Sequence, residues 1–138
     1  ASPKFYSFDL SPVIHLSRRQ RVVPGSELFG KAFEHFLFME ITAHAGYSEI
    51  FYPVCYWRTT SGFEVDFVLG DHEVAIEVKS TELANEAHLK GLRRFREEYT
   101  VRRSLLVSLD PTPRKTEDKI EILPWQAFLK ELWDGRIL

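Results

Sequence analysis

Apolar residues recur at helical spacing in the first strongly patterned segment, which begins after Pro24-Gly25. Ser26 is a suitable N-cap and Glu27 places a negative charge in the first turn, so a helix is predicted from there to about His44, ending near Gly46. Most sides of this helix are apolar. Glu34 is therefore either part of a narrow polar stripe with Lys31 that faces water, or a functional acid with a partner elsewhere.

Three segments rich in aromatic and β-branched residues follow, separated by turn residues. They predict strands in EIFYPVCYWRTT, FEVDFVL and EVAIEVK, with turns at Ser61-Gly62 and Gly70-Asp71. Pro53 indicates an edge position or a bulge. Because side chains alternate along a strand, the second strand should place Phe63, Val65, Phe67 and Leu69 on one face and Glu64, Asp66 and Val68 on the other. The third should place Val74, Ile76 and Val78 opposite Ala75, Glu77 and Lys79.

The remaining chain predicts a charged helix over 84–99, a buried strand in SLLVSL, a loop in DPTPRKTED, a short strand at 120–123 and a closing helix in PWQAFLKELW. The order is α-β-β-β-α-β with additions at both ends, which predicts an α/β fold. Residues 1–25 are apolar at Phe5, Tyr6 and Phe8. We interpret them as a lead-in segment that packs against an absent upstream region, and 26–138 as the domain.

Composition limits the possible functions. The 138 residues fit one domain, and 18 basic against 20 acidic residues give a formal net charge of −2. This balance argues against a sequence-blind DNA binder, although a local basic patch remains compatible with nucleic acid. The single cysteine, Cys55, excludes an internal disulfide, and no apolar run approaches the length of a membrane span. The prediction is a soluble cytoplasmic protein without a membrane partner.

The stretch GSELFGK resembles a nucleotide-binding phosphate loop, with four residues between Gly25 and Gly30-Lys31. Such a loop needs a serine or threonine after its lysine to bind magnesium, and the chain has Ala32 there. Leu28 and Phe29 also suit a helix better than an open loop. We therefore reject a nucleotide site here.

Asp66, Glu77 and Lys79 are predicted to converge on one face of the second and third strands. The alternative is a half-exposed hairpin with solvated charges. Predicted helices before and after the hairpin favour covered faces, and acids are poor strand formers in such apolar runs. Two carboxylates about 4 Å apart repel by roughly 4 kcal/mol at an effective dielectric near 20. With Glu34, the set carries a net charge of about −2, so either one acid is protonated or a cation is bound.

The arrangement Asp66…Glu77-Val78-Lys79 in this order of elements resembles the PD-(D/E)xK nuclease superfamily. The segments FGKAFEHFLFMEI, YWRTTSGFEVDFVL, VAIEVKS, LRRFREEY and SLLVSL further resemble an uncharacterised domain at the C-terminal end of bacterial and archaeal AAA-type ATPases. The resemblance implies an αβββαβ restriction-endonuclease-like core, with a mixed four-stranded sheet flanked by helices and a C-terminal helix. It also implies an upstream ATPase domain that is missing from this chain.

The resemblance assigns roles position by position. Asp66 and Glu77 match the metal-binding acids, Lys79 the catalytic lysine and Glu34 the acid of the first helix. The Val78 carbonyl is a further expected ligand, and the implied cofactor is Mg²⁺ or Mn²⁺. Val65 replaces the proline that names the superfamily.

Contacts to nucleic acid, DNA more than RNA, are expected from basic residues near this site, chiefly Arg58, Lys90 and Arg94. The alternative for the basic residues of the second helix is a face that is simply solvated. Other basic clusters are Arg18, Arg19 and Arg21; Arg93 and Arg96; and Arg102 and Arg103. Tyr56 and Trp57 are further candidate strand contacts, Trp57 alternatively being core, and His88 could face the site. Two hypotheses follow, a magnesium-dependent nuclease and a non-catalytic module that binds nucleic acid or protein for the ATPase, and oligomers are compatible with both.

Overall fold

The computed structural model describes residues 26–138, so the predicted lead-in segment lies outside the described residues. The helices are α1 (Glu27–Tyr47), α2 (Lys90–Glu98) and α3 (Trp125–Trp133), with a 3₁₀ turn at Glu86–Leu89. The strands are β1 (Val54–Arg58), β2 (Glu64–Leu69), β3 (Val74–Val78), β4 (Arg103–Ser108), β5 (Arg114–Lys115) and β6 (Ile120–Pro124). Over 26–138, no helix is long and apolar enough to cross a membrane.

The predicted start of the first helix is confirmed. Ser26 has an extended backbone, and its Oγ accepts a hydrogen bond from the Phe29 N–H at 3.2 Å. The helix continues through Tyr47, one residue past Gly46, near which its end is predicted. Gly30 and Lys31 lie inside it, so this stretch forms no phosphate-binding loop.

A mixed sheet of six strands in the order β1-β2-β3-β4-β6-β5 forms the centre of the fold. β1, β2 and β3 pair antiparallel, β3-β4 and β4-β6 are parallel, and β5 returns antiparallel to β6. The α/β class is confirmed, whereas the expected four-stranded sheet is an underestimate. β6 extends the same sheet. β5 falls within the segment that is predicted as a loop, since its two charged residues show no apolar alternation from which a strand could be predicted.

Helices cover both faces of the sheet. On one face, α1 and α3 pack Phe33, Leu37, Phe128 and Leu132 against a row that includes Phe67 and Ile76. On the other face, α2 packs Leu92 and Phe95 against Val68, Ala75 and Leu106. The hairpin of β2 and β3 is therefore buried between helices, as predicted, and is not a half-exposed ribbon.

One residue of β2 departs from the predicted alternation. Val65 packs with Val68 on the α2 face instead of with Phe67 and Leu69. The pairing with β1 explains this, because Cys55 is opposite Val68 while Trp57 is opposite Val65. Tyr56 is thus the single residue of β1 opposite two residues of β2, Asp66 and Phe67. This is a β-bulge, which turns the strand and re-aims its side chains.

The predicted second helix begins with a separate turn. Asn85 caps the 3₁₀ segment, its side chain accepting from the Ala87 N–H, while the His88 Nδ1 accepts from the Asn85 N–H at 3.0 Å. α2 then passes so close to β2 that a Cβ at Gly91 would lie 2.0 Å from the Glu64 carbonyl oxygen. Only glycine permits this approach.

Candidate active site

Two carboxyl groups occupy the place where the backbone pairing of β2 and β3 ends. The last backbone pair of the hairpin is Phe67 with Ile76. One residue further along, the Asp66 N–H donates to Glu77 Oε1 at 3.2 Å, and the Val78 N–H donates to Asp66 Oδ2 at 2.8 Å. Side-chain oxygens therefore accept hydrogen bonds from backbone N–H groups that have no backbone partner between β2 and β3 at this point. Asp66 and Glu77 are therefore in contact, but the predicted single face shared with Lys79 is wrong, since Asp66 lines a different cleft from Glu77 and Lys79.

Lys79 follows the pair at the end of β3. Its Nζ lies 4.0 Å from Glu77 Oε2, which is too long for a hydrogen bond but close enough for attraction between charges. The Lys79 side chain is 36% exposed, so its amine is accessible from solvent. Its backbone N–H donates to the Val107 carbonyl at 3.0 Å, which ties the lysine to β4.

The environment of Glu77 favours its protonated form. The residue is only 3% exposed, and burial raises the pKa of its carboxyl well above the usual range. A hydrogen bond with the Asp66 carboxylate and the Asp66 charge raise the pKa further, and Lys79 lowers it only in part. Attraction to Lys79 across 4.0 Å is weaker than these effects. Without a cation, these surroundings therefore favour the protonated form of Glu77.

Glu34 of α1 lies in the same electrostatic environment. Burial raises the pKa of its carboxyl, and the charges of Asp66 and Glu64 add to this effect, while Arg58 and Lys79 oppose it. Glu34 is thus one of a group of interacting charges and not an isolated member of a polar stripe. Glu64 also belongs to this group, although the sequence by itself assigned it no role. Its place two residues before Asp66 in the same strand is the sequence feature from which this role could have been predicted.

Two clefts open on either side of the hairpin end. The α1 cleft is lined by Glu34, Phe38, Val54, Cys55, Tyr56, Arg58, Val65, Asp66 and Phe67. The α2 cleft is lined by Ser61, Gly62, Phe63, Glu64, Glu77, Lys79, Ala87, His88, Lys90 and Gly91. Asp66 and Glu34 therefore face one cleft, and Glu77 and Lys79 the other. The hydrogen bond from the Asp66 N–H to Glu77 Oε1 joins the two.

The donor set fits a hard divalent cation in part. Among residues 26–138, no group of three or more acidic, histidine or cysteine side chains is arranged to hold a metal ion. Asp66 and Glu77 nevertheless supply two adjacent carboxyl groups, and Mg²⁺ in proteins is commonly held by one or two carboxylates with water and substrate phosphate completing its shell. Glu34 and the Val78 carbonyl remain predicted ligands.

The residues predicted to contact nucleic acid differ in their partners within the domain and in whether they line a cleft. The Arg58 guanidinium lies 5.1 Å from the centre of the Tyr56 ring, and its Nε is 3.6 Å from Glu64 Oε2. Lys90 lines the α2 cleft. Arg94 bonds Glu97 at 2.8 Å, which offsets its charge. Trp57 packs edge-on against Phe95 and is part of the core.

Most arginines of the other basic clusters form hydrogen bonds or ion pairs within the domain. Arg93 and Arg96 bond Asp118, Arg103 bonds Glu121 and Glu131, and Arg102 donates to the Ile137 carbonyl. Arg18, Arg19 and Arg21 lie outside the described residues. His88 faces the α2 cleft beside Glu77 and Lys79. Of the described basic residues proposed as nucleic-acid contacts, Arg58 and Lys90 are the two that line a cleft.

Comparison with protein families matches residues 29–128 to a family described as a domain of unknown function (DUF4143). The chain belongs to this family. Comparisons with curated proteins and with solved structures gave no match. The DUF4143 match includes Glu34, Asp66, Glu77 and Lys79, together with the strands that bear them. The candidate site therefore lies within the DUF4143 domain itself.

Proposed function

We propose that this DUF4143 domain is a divalent-metal-dependent nuclease of the PD-(D/E)xK type that hydrolyses phosphodiester bonds, with DNA as the principal substrate. The observation that supports it is the adjacent pair of carboxyl groups, Asp66 and Glu77, at the split end of the β2-β3 hairpin, each accepting a backbone N–H bond, with the Lys79 amine beside them. The order of elements agrees with the αβββαβ core of that superfamily. By the same resemblance, we propose that the domain works at the C-terminal end of an AAA-type ATPase.

Each residue of the site has a role in this proposal. Asp66 and Glu77, with Glu34 from α1, would hold Mg²⁺ or Mn²⁺, which supplies a water of lowered pKa and stabilises charge on the phosphate. Lys79 would orient the attacking water and offset the negative charge that grows in the transition state. The bonds from Asp66 and Val78 N–H groups hold both carboxyls in place before substrate arrives.

Two substitutions test this assignment. Asp66→Asn keeps an oxygen that accepts from the Val78 N–H but removes the negative charge, so cleavage should be lost in a folded protein. Lys79→Ala should retain metal binding and lower cleavage by about a hundredfold or more. The assay incubates each variant with linear, branched and single-stranded DNA, and with RNA, in Mn²⁺. Metal binding is measured separately by calorimetry.

Matched controls come from charged residues outside both clefts. Asp71→Asn alters an exposed aspartate at the opposite end of the same hairpin, and Lys115→Ala alters an exposed lysine of β5. Both should cleave like the wild type. Activity that survives unchanged in Asp66→Asn and Lys79→Ala would come from a contaminating nuclease and would contradict the proposal.

A second candidate function is a non-catalytic module that binds nucleic acid or protein. It is favoured by the surroundings of Glu77, which raise the pKa of its carboxyl and so oppose the ionised form that a metal ion requires. This candidate predicts no metal-dependent cleavage by the wild type on any substrate and no calorimetric signal with millimolar Mn²⁺. A Mn²⁺ signal that Asp66→Asn abolishes favours the nuclease.

A further inference from the structure

The α1 cleft has exposed aromatic rings beside the candidate catalytic acid. Tyr56 is 71% exposed although it lies within a β-strand, and Phe38 of α1 is 40% exposed. Both line the cleft that contains Asp66. Large apolar side chains are normally withdrawn from water, so two exposed rings in one cleft indicate a ligand with an apolar face.

The β-bulge places Tyr56 at the site. Tyr56 is the residue of β1 opposite Asp66 and Phe67 in the sheet register. β1 is the edge strand, so Tyr56 is accessible from the side of the sheet as well as from the cleft. A group stacked on its ring would therefore lie next to the carboxyl group of Asp66.

The rings and the arginine are held in fixed positions. The Phe38 ring stacks on the Phe67 ring, with their centres 6.1 Å apart and 26° between their planes. The Arg58 guanidinium lies over the Tyr56 ring. Aromatic rings and arginine guanidinium groups are the surfaces on which unpaired nucleobases stack in single-strand-binding proteins.

Charge favours a base over a phosphate in this cleft. Without a bound cation, the two acids Glu34 and Asp66 outnumber the single positive charge of Arg58, so the cleft repels the phosphate backbone. The α2 cleft is the more suitable place for phosphates, because its two lysines, Lys79 and Lys90, match its two acids, Glu64 and Glu77, of which Glu77 is in surroundings that favour its neutral form. The volume of the α1 cleft is about 210 Å³, below the roughly 300–1,000 Å³ of sites that enclose a whole small-molecule ligand. It therefore suits one part of a larger ligand.

We propose that the α1 cleft binds an unpaired nucleobase stacked on Tyr56, so that the substrate of this domain is a single-stranded or locally unpaired nucleic acid. Bases in a continuous duplex are paired and stacked on their neighbours, and a base must leave that stack before it can enter a protein cleft. This inference rests on the proposed nuclease function and specifies its substrate.

The test measures binding without divalent cations, so that cleavage plays no part. Fluorescence anisotropy of the 138-residue chain with labelled oligothymidylate, oligouridylate and a DNA duplex should show tighter binding of the single strands. Tyr56→Ala should weaken single-strand binding by about 5- to 150-fold, the range of stacking on one aromatic residue. Tyr56→Phe should retain it, since the ring is preserved. The two single strands distinguish DNA from RNA as the source of the base.

Phe51→Ala is the matched control, because Phe51 is 68% exposed and lies outside both clefts. It should bind like the wild type. The inference is overturned if Tyr56→Ala binds single strands as tightly as the wild type, if the duplex binds equally well, or if single strands do not bind. Metal-dependent cleavage accompanied by any of these results would sustain the nuclease and remove only the base site. Single-strand binding that depends on Tyr56, without cleavage in Mn²⁺, would support the base site and contradict the nuclease function.

Discussion

The Asp66 carboxylate accepts a hydrogen bond from the Val78 N–H at 2.8 Å, across the point where β2 and β3 stop pairing through their backbones. A residue proposed to act in catalysis thus also holds the ends of β2 and β3 together. This double role affects the interpretation of any substitution there, since lost activity and lost stability must be separated.

Asp66→Ala should destabilise the fold by about 1–3 kcal/mol, because the Val78 N–H would lose its partner in a largely buried site. Asp66→Asn should cost less, since its amide oxygen can accept the same bond. Urea unfolding of both variants measures the difference. Asp71→Ala, at the exposed turn of the hairpin, should remain within about 0.5 kcal/mol of wild type. Equal loss in the alanine and asparagine variants would show that the charge, and not the hydrogen bond, supports the strand end.

Glu77→Gln should stabilise the domain at neutral and alkaline pH in the absence of divalent ions. The folded-state pKa of Glu77 is raised by burial first and by Asp66 second, so the folded state disfavours its ionisation. Stability from this group is fully present below the unfolded pKa of about 4.5 and is lost as pH rises towards the folded value. The variant should gain at least about 1 kcal/mol at pH 8, since each pKa unit corresponds to about 1.4 kcal/mol.

The advantage of Glu77→Gln should disappear as pH approaches 4.5, where both chains carry a neutral group. Denaturant unfolding at a series of pH values measures this convergence. Glu73→Gln, an exposed glutamate beside β3, serves as the control and should follow the wild type. A constant advantage at every pH would point to packing and not to ionisation.

Millimolar Mn²⁺ should raise the melting temperature of the wild type, because an ion that binds only the folded state stabilises it by mass action. The shift should increase with pH, since Glu77 must lose its proton before it can bind the ion. Differential scanning fluorimetry between about pH 6 and 8.5 measures both effects. Asp66→Asn should show no shift at any pH. A wild-type shift that is independent of pH would exclude Glu77 as a ligand.

Gly91→Ala should destabilise the domain by about 1–3 kcal/mol or more, as overpacking does. The added Cβ would meet the Glu64 carbonyl oxygen, a backbone atom that cannot move aside alone. Gly46→Ala in α1 is the matched control, since a Cβ there would have no neighbour within 4 Å outside its own stretch of helix. It should be neutral or slightly stabilising, because alanine favours a helix. Urea unfolding of the pair is the measurement, and similar values for the two would contradict the close approach of α2 to β2.

His44 should make the domain less stable in mild acid. Burial lowers the pKa of its imidazole, and its Nδ1 lies 2.8 Å from Tyr52 Oη in the core. A lowered folded pKa means that stability is present above the unfolded value near 6.5 and is lost as pH falls through the folded value. His44→Gln should show a smaller loss of unfolding free energy between about pH 7 and 5 than wild type. His35→Gln, on the exposed side of α1, should keep the wild-type slope.

Local chemistry in the sequence was enough to predict most elements. Ser26 starts α1 because its hydroxyl satisfies a free N–H, and Pro124 precedes α3 because proline fits the start of a helix. Apolar runs with β-branched residues predicted β2, β3 and β4. The two-residue β5 carries no such pattern, since its place is set by pairing with β6.

The sequence by itself determined which residues bear the candidate chemistry, because acids inside apolar strands and helices cost stability unless they have partners. Tertiary structure decided how those residues are arranged. Strict alternation places Asp66 and Val68 on one face with Val65 opposite, but the bulge opposite Tyr56 puts Val65 and Val68 together and gives Asp66 to the cleft of Glu34. A bulge depends on the register of two strands and on helices packing on both faces, and neither is encoded in the residues of β2 alone.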